Sequence, residues 1–299
     1  MSAGSEKLRK KIQEKSILKI GGAFDAMSAK LVEINKFDAV WAGSFAISAT
    51  HAVPDASIMT MTEFLQVAKN MVDSCEIPII ADCDTGFGGP SNVSHLVKQY
   101  EQAGIAGISI EDKIFPKQNS LLENGKQELL NEKEFVAKII AGKESKINEN
   151  FMIIARTEAL IAGLGVDEAV KRATAYESAG ADAILIHSKS NNPKEVFEFC
   201  NSWKGKIPIV VVPTSYGNVT IDELTENNVK MVIYANQTLR IAHKAMSKLL
   251  KKLNDADSLS QVDEEISSME EIFELQKMFE IHSQEKDIEA KLKNMGYIN

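Results

Sequence analysis

Residues 103–112 read AGIAGISIED, and residues 179–188 read AGADAILIHS. Each opens where a helical pattern ends, stops on a glycine, and runs into a short apolar, β-branched stretch that closes on polar residues. Such a stretch is apolar on consecutive residues, as expected of a parallel strand covered on both faces. Six further runs share this character, at 17–25, 39–43, 78–84, 151–158, 208–214 and 231–236, making eight. Between them lie segments of helical period. Residues 60–74 (TMTEFLQVAKNMVDS) and 220–229 (TIDELTENNV) open with capping-box patterns, Thr60 with Glu63 and Thr220 with Glu223. The pattern at 165–180 ends on Gly180, the residue type that terminates helices in the left-handed conformation. Eight consecutive β–α units predict an α/β fold of the (β/α)8 barrel type. An open doubly wound sheet would want a GxGxxG turn after the first strand, and GGAFDAMSA (21–29) does not supply it.

The bulk properties agree with a large soluble domain. The chain has 299 residues, 44% hydrophobic and 25% charged, with a net charge of −8. No basic stripe is visible, so neither a nucleic-acid nor a membrane partner is expected. The three cysteines, Cys75, Cys83 and Cys200, form no CxxC pair, which points to a reducing compartment and away from a thiolate zinc site. The first fifteen residues carry charge but no apolar core of a secretory signal, and no apolar run approaches 18 residues. A cytoplasmic protein is expected. Residues 1–240 are assigned to the barrel and 241–299 to a helical, acidic extension. In EEISSMEEIFELQKMFE (264–280), Ile266, Met269, Ile272, Phe273, Leu275 and Phe279 form an apolar stripe of helical spacing. That stripe suits either a helix packed on its own barrel or a contact between subunits.

In barrels of this type chemistry gathers at the C-terminal ends of the strands. Those ends deliver Asp25, then Trp41 to Ser44, then Asp82, Cys83 and Asp84, then Glu111, Asp112 and Lys113. They continue with Arg156 and Glu158, His187 and Ser188, Thr214 and Asn236. Strand alternation puts Asp82 and Asp84 on one side and Cys83 on the other. Together with Glu111 they would raise one another's pKa. Either the carboxylates share a proton or a hard divalent cation relieves the conflict, and all-oxygen ligands favour Mg2+ or Mn2+. Arg156, His187 and Lys117 suit an anionic substrate. From Lys113 to about Leu129 no helical or strand period is visible, and Asn124-Gly125 marks a turn. A loop of this length is either a working lid or a surface excursion. As a lid, stiffened by Pro116 and gripped by Phe115 and Leu121, it would place Lys117, Asn119 and Ser120 over a substrate.

DCDTGFG (82–88), EDKIFPKQNSL (111–121), ARTEALIAG (155–163) and AILIHSK (183–189) resemble the phosphoenolpyruvate mutase family of the isocitrate lyase superfamily. The resemblance runs over about residues 15–240. It implies interconversion of phosphoenolpyruvate and phosphonopyruvate, with Mg2+ held at Asp82, Asp84 and Glu111. Asp55 matches an acid near the reacting centre. Asn119, Arg156 and His187 match the phosphoryl-handling groups, and Lys117 the lid lysine. Gly43, Ser44 and Phe45 match the carboxylate-binding segment, with Trp41, Ser120 and Leu121 as further substrate contacts. The order Gly43-Ser44 departs from the Ser-Gly expected there. The resemblance also implies C-terminal helices exchanged between subunits of a homodimer or homotetramer. Phosphonopyruvate hydrolase shares the lid but carries Thr where Asn119 stands. C–C lyases of the superfamily carry a KxCGH lid, which PKQNSL lacks. A non-catalytic barrel would have no use for the full polar rim.

Overall fold

In a computed structural model that describes residues 3–298, eight parallel strands close into a barrel in sequence order, β1 through β8. The strands are β1 Leu18–Ala23, β2 Ala39–Ala42, β3 Ile79–Asp82, β4 Gly107–Glu111, β5 Met152–Thr157, β6 Ala183–Ile186, β7 Ile209–Val211 and β8 Val229–Tyr234. Seven of the sequence-predicted runs hold one of them, and the eighth, 231–236, overlaps β8, which begins two residues earlier. The helices are α1 Ala3–Glu14, α2 Ala26–Ile34, α3 Ser44–Thr50, α4 Met61–Ser74, α5 Pro90–Gln102, α6 Glu132–Ser145, α7 Gly165–Ser178, α8 Lys194–Ser202 and α9 Ile221–Glu226. They continue with α10 Gln237–Asp255, α11 Met269–Leu275 and α12 Met278–Asn294. None of the described helices is long and apolar enough to cross a membrane.

Local chemistry sets the helix ends. Thr60 and Thr220 each accept from the backbone N–H three residues on, while Glu63 and Glu223 reach back to the cap. Gly180 takes φ +99° after α7, where a side chain would be strained. Leu18, Ile20, Trp41, Ile80, Met152, Ile154, Leu185, Val210 and Ile233 fill the barrel interior. Leu8 of α1 joins this cluster and Ile12 packs against it, so α1 contributes to the barrel core. With its interior packed, the barrel can only bind ligands beyond the strand ends.

The chain divides into two compact units, Met1–Arg240 and Ile241–Asn299. In the second unit the stripe expected over 264–280 is interrupted. Ile266 precedes α11, and Lys277 takes φ +55°, which ends one helix before the next begins. Phe273 and Phe279 pack edge to face across that break, their centroids 6.4 Å apart.

Gly22 of β1 marks where β1 and the chain beyond β8 approach most tightly. A Cβ there would lie 2.2 Å from the Ala235 carbonyl oxygen and 2.7 Å from that of Tyr234. Both obstacles are backbone, so neither can rotate away. We expect Gly22→Ala to destabilise the protein by on the order of 1–3 kcal/mol. Urea denaturation reads this, and an unchanged midpoint would show that the contact relaxes freely.

Candidate active site

The segment between β4 and α6 leaves and returns side by side. Lys113 bridges to Leu129, Ile114 N–H donates to Glu128 O at 3.0 Å, and Leu130 N–H donates to Asp112 O at 2.8 Å. Between these ties the chain forms neither helix nor strand. It folds inward over the strand ends, burying Lys117 and Ser120. Lys117 N–H donates to Ser57 Oγ at 3.0 Å, and Asn119 Nδ2 donates to Asp55 Oδ2 at 2.8 Å. A cavity of about 170 Å³ remains beneath, lined among others by Trp41, Ser44, Asp55, Asp82, Asn119, Arg156 and His187.

Lys117 joins the loop to the acidic rim. Its ammonium lies 2.7 Å from Asp84 Oδ1, 3.0 Å from Asp55 Oδ1 and 3.3 Å from Ser44 Oγ. Burial disfavours its charge, yet Asp84, Glu111, Asp55 and Asp82 outweigh burial and hold its pKa well above that of a free lysine. Burial pushes the Asp84 carboxyl up to about 7 against the pull of Lys117, with Asp82, Asp55 and Glu111 pushing the same way. Asp84 Oδ2 itself and Glu111 Oε1 are buried without a hydrogen-bond donor. Strand alternation does not place Asp84: β3 ends at Asp82, and Asp84 takes φ +50° in the loop beyond. Its carbonyl accepts from Glu111 N–H at 2.7 Å. Cys83 is fully buried, and burial pushes its thiol well above the ordinary range.

Arg156 and His187 meet on the opposite wall. Arg156 Nε lies 2.5 Å from Glu158 Oε1 and 3.3 Å from Glu111 Oε2. Burial opposes the guanidinium charge, but Glu158 and Glu111 raise its pKa further. His187 Nδ1 lies 2.8 Å from Arg156 Nη2 and 3.0 Å from Glu158 Oε1. That nitrogen accepts from the first or donates to the second, so the tautomer decides which bond forms. Burial, then the neighbouring guanidinium, lowers the His187 pKa, and the pull of Glu158 in the other direction is weaker. Ser120 Oγ donates to Glu158 Oε2 at 2.5 Å and accepts from Lys113 Nζ at 2.7 Å and Arg156 Nη2 at 3.1 Å. A hydroxyl has one proton and two lone pairs, so this one is fully engaged.

Twelve of the fourteen expected site residues line the cavity: Trp41, Gly43, Ser44, Phe45, Asp55, Asp82, Lys117, Asn119, Ser120, Leu121, Arg156 and His187. Asp84 and Glu111 lie behind the wall, reached through Lys117 and Arg156. Asp112, the residue after β4, belongs elsewhere. It accepts from Tyr176 Oη at 2.6 Å, Arg172 Nη1 at 3.2 Å and Glu158 N–H at 2.8 Å, tying the end of β5 to α7. Glu158, to which the sequence assigns no role, is central, meeting Arg156, His187 and Ser120. Burial would raise its pKa, but Arg156 and then His187 hold it well below the carboxylate range. Its position two residues beyond Arg156 was the available signal. Thr214 and Asn236 also line the cavity, each with a buried side-chain oxygen that has no partner.

Residues 8–254 match the family model described as phosphoenolpyruvate phosphomutase. The phosphoenolpyruvate phosphomutase of Tetrahymena pyriformis is 42% identical over 279 residues, 93% of each chain. The phosphonopyruvate hydrolase of Variovorax sp. (strain Pal2) is 44% identical over 255 residues, 85% of this chain and 88% of the relative. The solved structure of phosphoenolpyruvate phosphomutase from Streptomyces platensis subsp. rosaceus superposes with a TM-score of 0.93 at 43% identity. It covers 95% of this chain and 99% of that one. A phosphonopyruvate hydrolase solved with oxalate and Mg2+ gives a TM-score of 0.89 at 39% identity, over 95% and 98%.

The depressed His187 pKa means a neutral imidazole at pH 7. The sign follows from the direction of the shift: protonation is displaced below the ordinary histidine range of about 6.5. Long-range 1H–15N NMR on the five histidines should show the His187 ring uncharged at pH 7. A doubly protonated ring at that pH would contradict the balance described.

Proposed function

The chain belongs to the phosphoenolpyruvate phosphomutase family, and on that premise we propose that it interconverts phosphoenolpyruvate and phosphonopyruvate. One observation carries this reading: the β4–α6 loop lies over the cavity, with Lys117 and Asn119 bonded to Asp55 beneath it. The reaction moves a phosphoryl group between the enol oxygen and C3 of the same three-carbon unit. Its transition state is loose, so positioning and charge stabilisation matter more than covalent chemistry. Any water within reach would take the phosphoryl group instead.

We assign Asn119, Arg156 and His187 to the phosphoryl group. Arg156 gives a permanent charge, the neutral His187 a donor or acceptor, and Asn119 an amide on a loop held by Asp55. Glu158 keeps Arg156 and His187 aimed at the cavity. Gly43, Ser44 and Phe45, with Trp41 and Leu121, take the pyruvyl end. Ser120 holds the charged wall together through its hydroxyl.

Asp82, Asp84 and Glu111 are assigned to Mg2+, and their surroundings fit it. Five carboxylates, Asp55, Asp82, Asp84, Glu111 and Glu158, face three permanent cations, Lys113, Lys117 and Arg156. With Asp84 ionised, as a bound cation would favour, the excess of two negative charges suits one divalent ion. Among the described residues no three acidic, histidine or cysteine side chains form a closed shell. Magnesium accommodates this, because it keeps several waters and takes few protein ligands directly. When bound, it would neutralise the carboxylates and stabilise negative charge developing on the pyruvyl oxygens.

The 44% identity to a hydrolase favours a second reading, in which the same site passes the phosphoryl group to water. The amide of Asn119, tied to Asp55, supports the mutase. We also propose a cytoplasmic homodimer or homotetramer acting on small molecules, without nucleic-acid or membrane partners. The free cysteines support the compartment. The exposed Met246, Leu250 and Leu253, on one face of α10, support assembly through the C-terminal helices.

31P NMR with phosphonopyruvate and Mg2+ tests the reading. The expected product is phosphoenolpyruvate; inorganic phosphate alone would make the protein a hydrolase. Asn119→Ala should cut turnover roughly tenfold or more, the scale for losing one positioned donor; normal turnover would remove Asn119 from the chemistry. Asp82→Ala should abolish activation by Mg2+, and full activation of that variant would move the metal elsewhere.

A further inference from the structure

Lys113 is 1% exposed and lies outside the residues given a role above. Its ammonium has three N–H donors and meets three acceptors. It donates to Gln118 O at 2.8 Å and to Ser120 Oγ at 2.7 Å, and it lies 3.4 Å from Glu158 Oε2. Gln118 and Ser120 flank Asn119 in the chain, so one cation grips the loop on both sides of the residue assigned to the phosphoryl group. The grip begins at the loop's own root, since Lys113 is the second residue beyond β4 and bridges to Leu129. Glu158 anchors the other end and is itself fixed by Arg156 and by Asp112 through its N–H.

We propose that Lys113 is a positioning residue for the phosphoryl transfer. It acts through Gln118 and Ser120 to hold Asn119 at a fixed depth in the cavity, and it touches no substrate. The geometry has a chemical consequence. Without Lys113 the loop would keep the bonds of Lys117 to Asp55 and Asp84 and of Asn119 to Asp55. The chain on either side of Asn119 would lose its shared anchor, so residues 118–120 could shift and admit water to the migrating group. Losing Lys113 should therefore change what the enzyme makes as well as how fast it works. The product half of this inference rests on the mutase reading; the tether itself does not.

Lys113→Met, Ser120→Ala and the unaltered protein test it by two independent measurements. The first is limited trypsin digestion without substrate, following cleavage after Lys117 and Lys126. Both variants should be cut at these sites several-fold faster, and unchanged cleavage would overturn the tether. The second is 31P NMR of phosphonopyruvate turnover with Mg2+. kcat should fall roughly tenfold or more, the scale of a small misplacement at a reacting centre. KM should change little, and inorganic phosphate should rise relative to phosphoenolpyruvate. Lys113→Arg, which keeps the charge and donors, should recover most of the original product ratio. A uniform loss of activity at an unchanged product ratio would reduce Lys113 to a structural role and overturn the proposal. Should Lys113→Met fail to fold by circular dichroism, Lys113→Gln, which removes the charge but keeps a polar side chain, decides on the same readouts. An unaltered protein that yields no phosphoenolpyruvate would refute the mutase reading, while faster loop cleavage in the variants would still uphold the tether.

Discussion

A single buried ammonium, that of Lys117, holds the functional end of this barrel together. It sits within 3.0 Å of Asp84 and Asp55 in a region that excludes bulk water. Either charge alone would be costly to bury there, and breaking such a pair leaves an uncompensated charge. The loop therefore closes because the barrel rim carries more negative charge than its own strands neutralise. Closure and electrostatics are thus one event: the residue that relieves the rim is carried by the segment that covers it.

The opposite wall works by the same logic with the signs exchanged. Arg156 brings a permanent positive charge to the cavity, and Glu158 and Glu111 make that affordable. Ser120 and Lys113 extend this wall into the loop. Around the cavity each cation is set among carboxylates, Lys117 with Asp55 and Asp84 and Arg156 with Glu158 and Glu111, and the carboxylates outnumber the cations. An anionic substrate accompanied by a divalent cation matches that balance.

Much of this was legible in the chain before any coordinates. Parallel strands buried on both faces write themselves as consecutive apolar residues, so every run met a strand, the last shifted by two residues because Lys230 interrupts the apolar start of β8. Caps such as Thr60 with Glu63 are local and were equally plain. Reading the strand ends put most of the site residues in one mouth, because a barrel brings all those ends together. What failed depended on information that is not local. Alternation could not be extended to Asp84, which lies past the end of β3 in a left-handed turn. Asp112 read as one more rim acid because nothing in β4 reveals that Arg172 and Tyr176 of α7 wait on its other side. Glu158 and Lys113 were visible as charges, but their importance lies in partners distant in sequence. The helical stripe near the C-terminus was real in composition and broken in structure at Lys277.

The central claim is that Lys117 keeps the β4–α6 loop shut over the acidic rim. Hydrogen–deuterium exchange on the unaltered protein and on Lys117→Met tests it most directly. Amides across residues 114–128 should exchange much faster in the variant while those of the eight strands stay protected. Equal protection of the loop in both proteins would mean that something other than this ammonium closes it, and the account would fail.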